Sequence, residues 1–339
     1  MQKKFHFSIY GAHLESHGGV KRSNQLCEMA KAKGLEVIYL PVSKRKVLSR
    51  IIKSPVTIVY ATLFLMPGVM SHLTLIGILE SIIYSAWFLL EIRARNVKSI
   101  SFEIGPNAGI MLANIALKLN ILGDVYPHNI EYMVPNQIQK YFRSPDHAYA
   151  AEMKVYRSSN EVYAISDFDA AVLRSQSIDR VKVLSYIPEK FEFSRLQLIS
   201  ERRKNLPQYN GILILGTAYN PPTYAGIFKL LQLIKEQDSA RSYVLAGFGT
   251  EMLVSAAPKN VEVRGCVSDI ELNALLVSSQ ALLVYQVPTS GMLTRIIEAR
   301  IAGIPVYVIG GYIQTLFMRD DGIHLIKNLS TLPLDLVAK

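Results

Sequence analysis

Cysteine is scarce in this chain, with only Cys27 and Cys266 among 339 residues. Two isolated cysteines exclude a disulfide framework and lack the spacing of a metal-binding motif, which favours a reducing compartment. A signal peptide is not expected either, because the apolar stretch that follows Lys3 and Lys4 is too short and too polar. We therefore expect a cytoplasmic protein.

Acidic residues are outnumbered by basic ones, 27 against 37, which gives a formal net charge of +10. This balance favours polyanions or anionic membrane surfaces as partners. No nucleic-acid-binding motif is present, and the basic clusters are not interleaved with aromatic residues, so we expect no nucleic-acid partner. Hydrophobic residues make up 50% of the chain and charged residues 19%. At this length the composition predicts two domains of ordinary size with substantial cores.

Segment 55–92 is apolar and almost free of charged residues. Its length admits a transmembrane helix, although Pro67-Gly68 divides it and several Ser and Thr residues interrupt it. A strand over Val56 to Leu65 and a buried helix over Val69 to Arg93 would suit an α/β domain equally well. A membrane-contacting element and a true span both stay open. Basic residues beside this segment would hold a monotopic protein at an anionic bilayer.

Strands and helices alternate along most of the chain. Phe5 to Tyr10, Val20 to Lys33 and Glu36 to Leu40 are typical of a βαβ unit, and a second series begins at Ile212. Such alternation predicts two α/β domains with parallel sheets. The predicted organisation is an N-terminal domain over residues 1–190, a linker over 191–209, a C-terminal domain over 210–325 and a tail over 326–339.

The segment Leu282 to Gly311 carries the most specific pattern of strand, small-residue turn, helix and strand. Ligands of parallel sheets bind at the carboxyl ends of the strands, where helix N-termini present free N–H groups. Arg295 and Glu298 are three residues apart and share one face of the predicted helix. Arg295 would bind an anion and Glu298 a vicinal diol such as ribose. A solvent-exposed ion pair between the two side chains is the simpler alternative.

This segment also resembles the donor site of family 4 glycosyltransferases, the retaining enzymes of the GT-B fold. The resemblance implies two Rossmann-like parallel-sheet domains that face an interdomain cleft, a nucleotide-sugar donor, no cofactor and no metal for the chemistry. One departure is Ser290, which stands where many members have a first glutamate. The matching residues are Pro288, Ser290-Gly291, Arg295, Glu298-Ala299, Ala302-Gly303 and Pro305-Val306.

Further residues enter the candidate site only through this resemblance. The run His128-Asn129-Ile130-Glu131 follows a predicted strand, and Ser166 follows another. The resemblance implies catalytic roles for His128, Arg295 and Glu298, and acceptor-side positions for Glu131 and Ser166. It implies donor contacts for Gly18, Gly19, Gly216, Thr217, Arg264, Val267, Ser290, Gly291, Met292, Leu293, Arg295 and Glu298, with Lys21 or Arg22 as further donor-phosphate ligands.

The resulting expectation is a retaining transferase that moves a sugar from a UDP- or GDP-sugar to a saccharide or lipid-linked saccharide during cell-surface polysaccharide synthesis. Such an acceptor would bring the protein to the inner face of the plasma membrane. Two other classes stay open: a sugar-nucleotide epimerase of the same fold and a non-catalytic GT-B partner subunit of another glycosyltransferase. Ser290, the lack of an arginine after Gly216 and the short C-terminal segment favour the latter.

Overall fold

Two six-stranded parallel sheets organise the chain. The computed structural model describes residues 4–10, 18–41, 43–65, 70–105, 108–134, 141–205, 211–238, 240–285, 287, 289–310 and 322–333. It divides into two units. The first comprises Met1–Tyr186 with Ser290–Met292, and the second comprises Ile187–Thr289 with Leu293–Lys339.

The first unit contains a sheet of strand order β2-β1-β3-β4-β5-β6, in which every pair is parallel. Its central strands are apolar and buried, as expected when helices cover both faces of a parallel sheet. The strands are β1 Lys4–Ser8, β2 Glu36–Tyr39, β3 Ser99–Ile104, β4 Leu122–Pro127, β5 Val162–Ala164 and β6 Val181–Val183. The α-helices are α1 Gly18–Ala32, α2 Lys44–Ile51, α3 Pro55–Tyr60, α4 Leu75–Arg95, α5 Ala108–Lys118, α6 Pro145–Ser158 and α7 Asp167–Ser175.

The second unit repeats this plan with strand order β12-β11-β10-β7-β8-β9, again with parallel pairs. Buried aliphatic side chains form a separate cluster on each face of the sheet. The strands are β7 Ile212–Leu215, β8 Tyr243–Ala246, β9 Val261–Gly265, β10 Ala281–Tyr285, β11 Val306–Ile309 and β12 Ile323–Ile326. The α-helices are α8 Lys190–Asn205, α9 Pro221–Gln237, α10 Asp269–Ser278 and α11 Thr294–Ile301. The predicted α/β class with two parallel sheets is confirmed.

The strand predicted over Val56 to Leu65 is wrong. The chain forms α3 there and continues as one π-helical turn, Ala61–Leu65. Pro55 lies in the first turn, where its missing N–H is tolerated, and Ser54 precedes it as the N-cap residue. The β-branched residues in this stretch suggested a strand, but such preferences depend on context.

The helix predicted over Val69 to Arg93 is largely confirmed as α4, although it begins later. Thr74 caps it by accepting a hydrogen bond from the Gly77 N–H at 3.1 Å. By length and composition α4 is apolar enough to cross a membrane, yet half of its apolar window is buried inside the protein.

The linker predicted over residues 191–209 is also wrong, because most of it forms α8 within the second unit. Leu196 and Ile199 bury their side chains in the core. Arg203 is buried as well and donates hydrogen bonds to the carbonyls of Leu276, Val277 and Ser279 at 2.7–2.9 Å. The many charged residues of this segment indicated a linker. Most of these side chains lie on the exposed side of a packed helix, whereas Arg203 is buried and donates hydrogen bonds to backbone carbonyls.

The expected tail over 326–339 is described as far as residue 333 and is structured there. β12 pairs with β11, and a 3-10 turn over Leu329–Thr331 follows it. Leu329 and Leu332 are buried in the second core. A sixth strand was not predicted, because its sequence is short and carries His324 in an exposed position.

Candidate functional site

The order of the second sheet reverses between β7 and β10. From β7 the chain proceeds through β8 to β9 on one side, whereas β10, β11 and β12 lie on the other. Open parallel sheets bind ligands at the carboxyl ends of the strands beside such a reversal. Gly216 and Thr217 follow β7, and the connection from β10 leads to α11, so these predicted residues occupy that position.

Arg295 lies in the first turn of α11, is half-buried and has an Nε atom that is buried without a hydrogen-bond partner. Among the described residues no hydrogen bond or ion pair reaches its side chain, so the ion pair with Glu298 considered as the simpler alternative is not formed. Desolvation lowers the pKa of Arg295 to about 10, which leaves it charged at neutral pH. An unpaired, partly desolvated cation at a helix N-terminus is suited to binding an anion.

Thr289 was not singled out from the sequence. Its Oγ1 atom is buried without a partner in the described part of the chain, shortly before α11 begins. The sequence offered no specific signal for it beyond membership of the Pro-Thr-Ser-Gly turn. Two unsatisfied polar groups, Thr289 and Arg295, therefore flank the start of this helix.

Glu298 lies one turn further along α11 and is half-buried. It interacts electrostatically with Arg195 of α8, which also forms an ion pair with Glu192 at 2.6 Å. This arrangement keeps the Glu298 carboxylate beside positive charge within the second unit. A carboxylate held in this way can accept hydrogen bonds from a diol.

Gly216 permits a close approach of α9 to the end of β7. A Cβ atom at this position would lie 2.6 Å from Thr223 and 2.9 Å from Ile227, so a larger residue would displace the helix. Gly247 follows β8 with φ of +135° and passes directly against Gly216. Only glycine readily adopts that backbone conformation. Packing thus accounts for Gly216, and Thr217 beside it is half-exposed.

Arg264 and Val267, both predicted to contact the donor, line one shallow pocket. Glu271, Ala274, Leu275 and Ser278 of α10 complete this pocket. Arg264 is exposed and forms an ion pair with Glu262 at 2.7 Å. The pocket runs along α10, beside the end of β9 and the residues that join the two elements.

Gly18 and Gly19 form the first turn of α1 in the first unit, beside the reversal between β1 and β3. A Cβ atom on Gly19 would lie 2.8 Å from the Tyr10 hydroxyl, so the glycine allows this ring to pack closely. Arg22, predicted with Lys21 as a further phosphate ligand, is buried instead. It donates hydrogen bonds to Gln25 and to the Leu184 and Ser185 carbonyls. Arg22 therefore joins α1 to the chain after β6.

His128 follows β4 and is buried in a hydrogen-bonded network centred on Glu103 of β3. The Glu103 carboxylate accepts hydrogen bonds from His6 Nε2 at 3.0 Å and His128 Nε2 at 3.2 Å, and also from the Ser23 hydroxyl. His6 contacts Ser101 through its other ring nitrogen at 2.9 Å. The sequence pattern identified His128 but missed Glu103, His6 and Ser23.

Glu103 fixes one proton of His128 on Nε2. Burial alone would raise the pKa of this carboxyl, but hydrogen bonds from His128 and His6 hold it well below its ordinary value, so Glu103 is an anion. An anionic carboxylate only accepts hydrogen bonds, so His128 Nε2 carries a proton and donates it to Glu103. The other nitrogen, Nδ1, is buried without a partner among the described residues.

Glu131, predicted on the acceptor side, belongs to a second buried group with Glu152 and Asp169. Glu152 accepts hydrogen bonds from the backbone N–H groups of Glu131 and Tyr132 at 2.8 and 3.0 Å and from the Tyr156 hydroxyl at 2.6 Å. Burial raises the pKa of Glu152 to about 7, and burial with the neighbouring Glu152 charge raises the pKa of Glu131 well above its ordinary value.

Asp169 accepts hydrogen bonds from the N–H of Gly291 at 3.1 Å, within the first unit to which Ser290–Met292 belongs. Ser290 likewise accepts the Ile130 N–H. Burial raises the pKa of Asp169 to about 6. Ser290 and Gly291, both predicted to contact the donor, therefore form hydrogen bonds with residues of the first unit. Gly291 has φ of +91°, which explains the glycine.

For three further predicted residues the structure shows only a position in the fold and no specific chemical role. Ser166 is the N-cap of α7 and accepts the Asp169 N–H at 3.1 Å. Met292 and Leu293 are half-buried immediately before α11.

One group of described residues has side chains near enough to share a metal ion: His6, Cys27 and Glu103, all buried. Hydrogen bonds already account for His6 and Glu103. The thiol pKa of Cys27 is raised to about 11 by burial and by the Glu103 charge, which opposes the thiolate form that binds metals. We therefore assign the group to the structure of the first unit.

No family model and no curated protein matches this chain. Solved structures do match it over nearly its whole length. Sucrose-phosphate synthase from Thermosynechococcus elongatus has a TM-score of 0.62 and 13% identity, covering 97% of this chain and 86% of that one. Anabaena HepE in complex with UDP has a TM-score of 0.54 and 12% identity, covering 96% and 85%. UDP-GlcNAc 2-epimerase from Methanocaldococcus jannaschii, solved with UDP-GlcNAc and UDP, has a TM-score of 0.50 and 11% identity, covering 96% and 89%.

These similarities establish the fold. The chain has the GT-B fold, with two Rossmann-like domains that each contain a six-stranded parallel sheet. Fold alone does not define chemistry, since one fold hosts many activities. The activity must therefore be argued from the residues of the site.

Proposed function

We propose that this protein is a retaining glycosyltransferase of the family 4 type, which transfers a hexosyl group from a UDP- or GDP-sugar. The observation that carries the proposal is Arg295, a partly buried guanidinium in the first turn of α11 that has no partner among the described residues. At this place in a Rossmann-like domain, free N–H donors and a cation stabilise a bound nucleoside diphosphate. The binding of UDP by HepE and of UDP and UDP-GlcNAc by the 2-epimerase, both similar in fold, supports a sugar nucleotide as the ligand.

In this proposal each residue of the second unit has one role. Arg295 binds the diphosphate and offsets the charge that develops on the leaving group. Thr289 donates its hydroxyl to the same anion, and Glu298 accepts hydrogen bonds from the ribose hydroxyls. Gly216 and Thr217 lie at the end of β7 beside the diphosphate. The pocket lined by Arg264 and Val267 receives the nucleobase. No cofactor and no metal is required for these roles.

In the first unit, His128 contacts the transferred sugar. Its Nδ1 atom, which has no partner among the described residues, forms a hydrogen bond with a sugar hydroxyl, while Glu103 holds the ring in place through Nε2. Glu131 lies on the acceptor side, and the acceptor is a saccharide or lipid-linked saccharide at the cytoplasmic face of the membrane. We propose cell-surface polysaccharide synthesis as the process served.

The proposal is tested by measuring thermal unfolding with UDP-, GDP-, ADP- and CMP-sugars. A ligand present at a hundred times its dissociation constant stabilises the native state by about 2.7 kcal/mol. We expect one nucleotide class to raise the melting temperature, and Arg295→Met and Glu298→Ala to abolish the shift. Arg295→Met retains most of the side-chain volume while removing the charge.

Glu236→Ala is the matched control, because Glu236 is an exposed carboxylate near the end of α9 in the same unit. It should retain the full ligand-induced shift. Absence of a shift with every sugar nucleotide would refute the donor site and favour a non-catalytic partner subunit.

A sugar-nucleotide epimerase is the second candidate, favoured by the similarity in fold to the 2-epimerase. The two activities differ in their requirement for an acceptor. An epimerase converts the bound sugar nucleotide with no acceptor present, whereas a transferase needs an acceptor to release the nucleoside diphosphate productively. NMR of the sugar nucleotide incubated with the protein alone distinguishes them.

A further inference from the structure

Large apolar side chains are exposed in one short part of the first unit. Nine of the twenty large hydrophobic side chains exposed in the described part of the chain lie between Leu48 and Leu79. Single exposed apolar residues are common on soluble proteins, but a concentration of them marks an interaction surface. The helices concerned, α2, α3 and α4, pack against one another, so the residues belong to one local structure.

Helix α3 directs most of its large apolar side chains towards solvent, whereas an ordinary surface helix directs them towards the core. Thr57 and, in the following π turn, Ala61 point inward and are buried. Val56, Val59 and Tyr60 occupy positions i, i+3 and i+4 and are exposed, with Val56 76% accessible. A surface helix normally directs such an apolar stripe at the core. Here the stripe faces away from the core.

Helix α4 changes character along its length. Its first turns expose Leu75, at 73% accessibility, together with Ile76 and Leu79. Its second half is inside the first core, where Ala86 and Phe88 are fully buried. A helix whose second half is enclosed by a Rossmann-like domain cannot expose 21 residues to lipid, so the structure favours surface contact over a transmembrane span.

Basic residues border these side chains. Arg45 is exposed in the first turn of α2, and Lys53 is exposed just after this helix. Arg143 is also exposed, and its Nε donates to the carbonyl of Leu73, just before α4, at 2.8 Å. Exposed cations beside exposed apolar groups match an anionic lipid surface, in which phosphates lie above the acyl chains.

We propose that an apolar face formed by Val56, Val59, Tyr60, Leu63, Leu75 and Leu79 inserts into the interfacial region of an anionic bilayer, with Arg45, Lys53 and Arg143 at the headgroups. The protein is then monotopic and contacts one leaflet. The role of this docking, which is to bring the site to a lipid-linked acceptor, rests on the proposed transferase function. The docking itself does not.

The test is sedimentation of the full chain with vesicles of phosphatidylcholine alone or with 30% phosphatidylglycerol. We expect strong binding to the anionic vesicles at low salt, weaker binding as salt rises and little binding to the neutral ones. Val56→Asp with Leu75→Asp should lower the partition coefficient at least a hundredfold, since each large apolar side chain withdrawn from lipid is worth about tenfold. Lys53→Glu should weaken binding several-fold and reduce its salt dependence.

The matched control is Ile270→Asp, which places the same charge on a side chain that is 81% exposed in the second unit. It should bind vesicles as the wild type does, and melting temperatures of all variants should agree within a few degrees. Equal binding by the apolar-face variants, or no binding by the wild type, would overturn the proposal. The assay contains no sugar nucleotide, so failure here leaves the donor-site test unaffected.

Discussion

Replacing Glu103 with methionine is expected to destabilise the first unit by about 3–5 kcal/mol, the range for removing one member of a buried ionic network. The substitution conserves volume but leaves His6, His128 and Ser23 without their common acceptor. Unsatisfied buried donors retain the full cost of desolvation. Denaturant unfolding followed by fluorescence measures the effect directly. Trp87, the sole tryptophan of the chain, is buried in the first core and reports on that unit alone.

Glu161→Met provides the control. Glu161 forms an ion pair with Lys182 at 3.1 Å, and the Lys182 side chain is 57% exposed. Exposed pairs of this kind contribute about 0–1 kcal/mol, so the control should change stability little. A loss in Glu103→Met no larger than in Glu161→Met would contradict the assignment of Glu103 as the centre of the network.

The pH dependence gives an independent check. The folded pKa of Glu103 lies below its unfolded value near 4.5. Its contribution to stability is therefore complete above about pH 4.5 and decreases as the pH falls below that value. Wild type should lose more stability on acidification than Glu103→Met does, so that the two unfolding curves approach each other at low pH.

Much of the fold could be predicted from the sequence because short apolar strands alternate with helices that have clear N- and C-terminal signals. The capping box of Ser268 and Glu271 and the stop at Gly303 are local signals of this kind. The errors occurred where tertiary context decides the structure. Segment 56–65 has the composition of a strand, but its helix is stabilised by packing against α4. In α8 the many charged residues indicated a linker, although several residues of this helix are buried.

The candidate site was predictable only where its residues are close in sequence. Arg295 and Glu298 share one helix, so their spacing gave both at once. Glu103 contacts His6 across 97 residues of chain and His128 across 25. No local pattern connects such positions, because the parallel sheet brings them together through crossover connections. The sequence also could not decide whether Arg295 and Glu298 form an ion pair. That depends on how the two side chains are placed, and in the structure the pair is not formed.

Replacing Glu131 with glutamine should flatten the dependence of stability on pH between about 5 and 8. Burial raises the pKa values of Glu131, Glu152 and Asp169 in the folded state. Between the unfolded and folded pKa values the native state binds more protons than the unfolded state, so stability falls as the pH rises. For Glu152, with a pKa raised from 4.5 to about 7, this loss is on the order of 3 kcal/mol.

Glutamine at position 131 mimics the protonated acid and removes one member of the group of carboxyls. Its carbonyl can still accept the hydrogen bond from Asn129, and the remaining Glu131 oxygen has no partner to lose among the described residues. The variant should thus be more stable than wild type at pH 8 and similar at pH 5. Urea unfolding followed by Trp87 fluorescence at a series of pH values measures this difference.

Glu152→Gln separates removal of charge from loss of hydrogen bonds. Both Glu152 oxygens accept backbone N–H groups, so an amide at position 152 must turn its NH₂ group towards one of them. The unsatisfied buried N–H costs about 1–3 kcal/mol. Glu152→Gln should therefore be less stable than wild type at pH 5, where charge removal brings no gain. A wild type whose stability is constant from pH 5 to 8, or a Glu131→Gln variant that shows the same slope, would be incompatible with three carboxyls of raised pKa in this core.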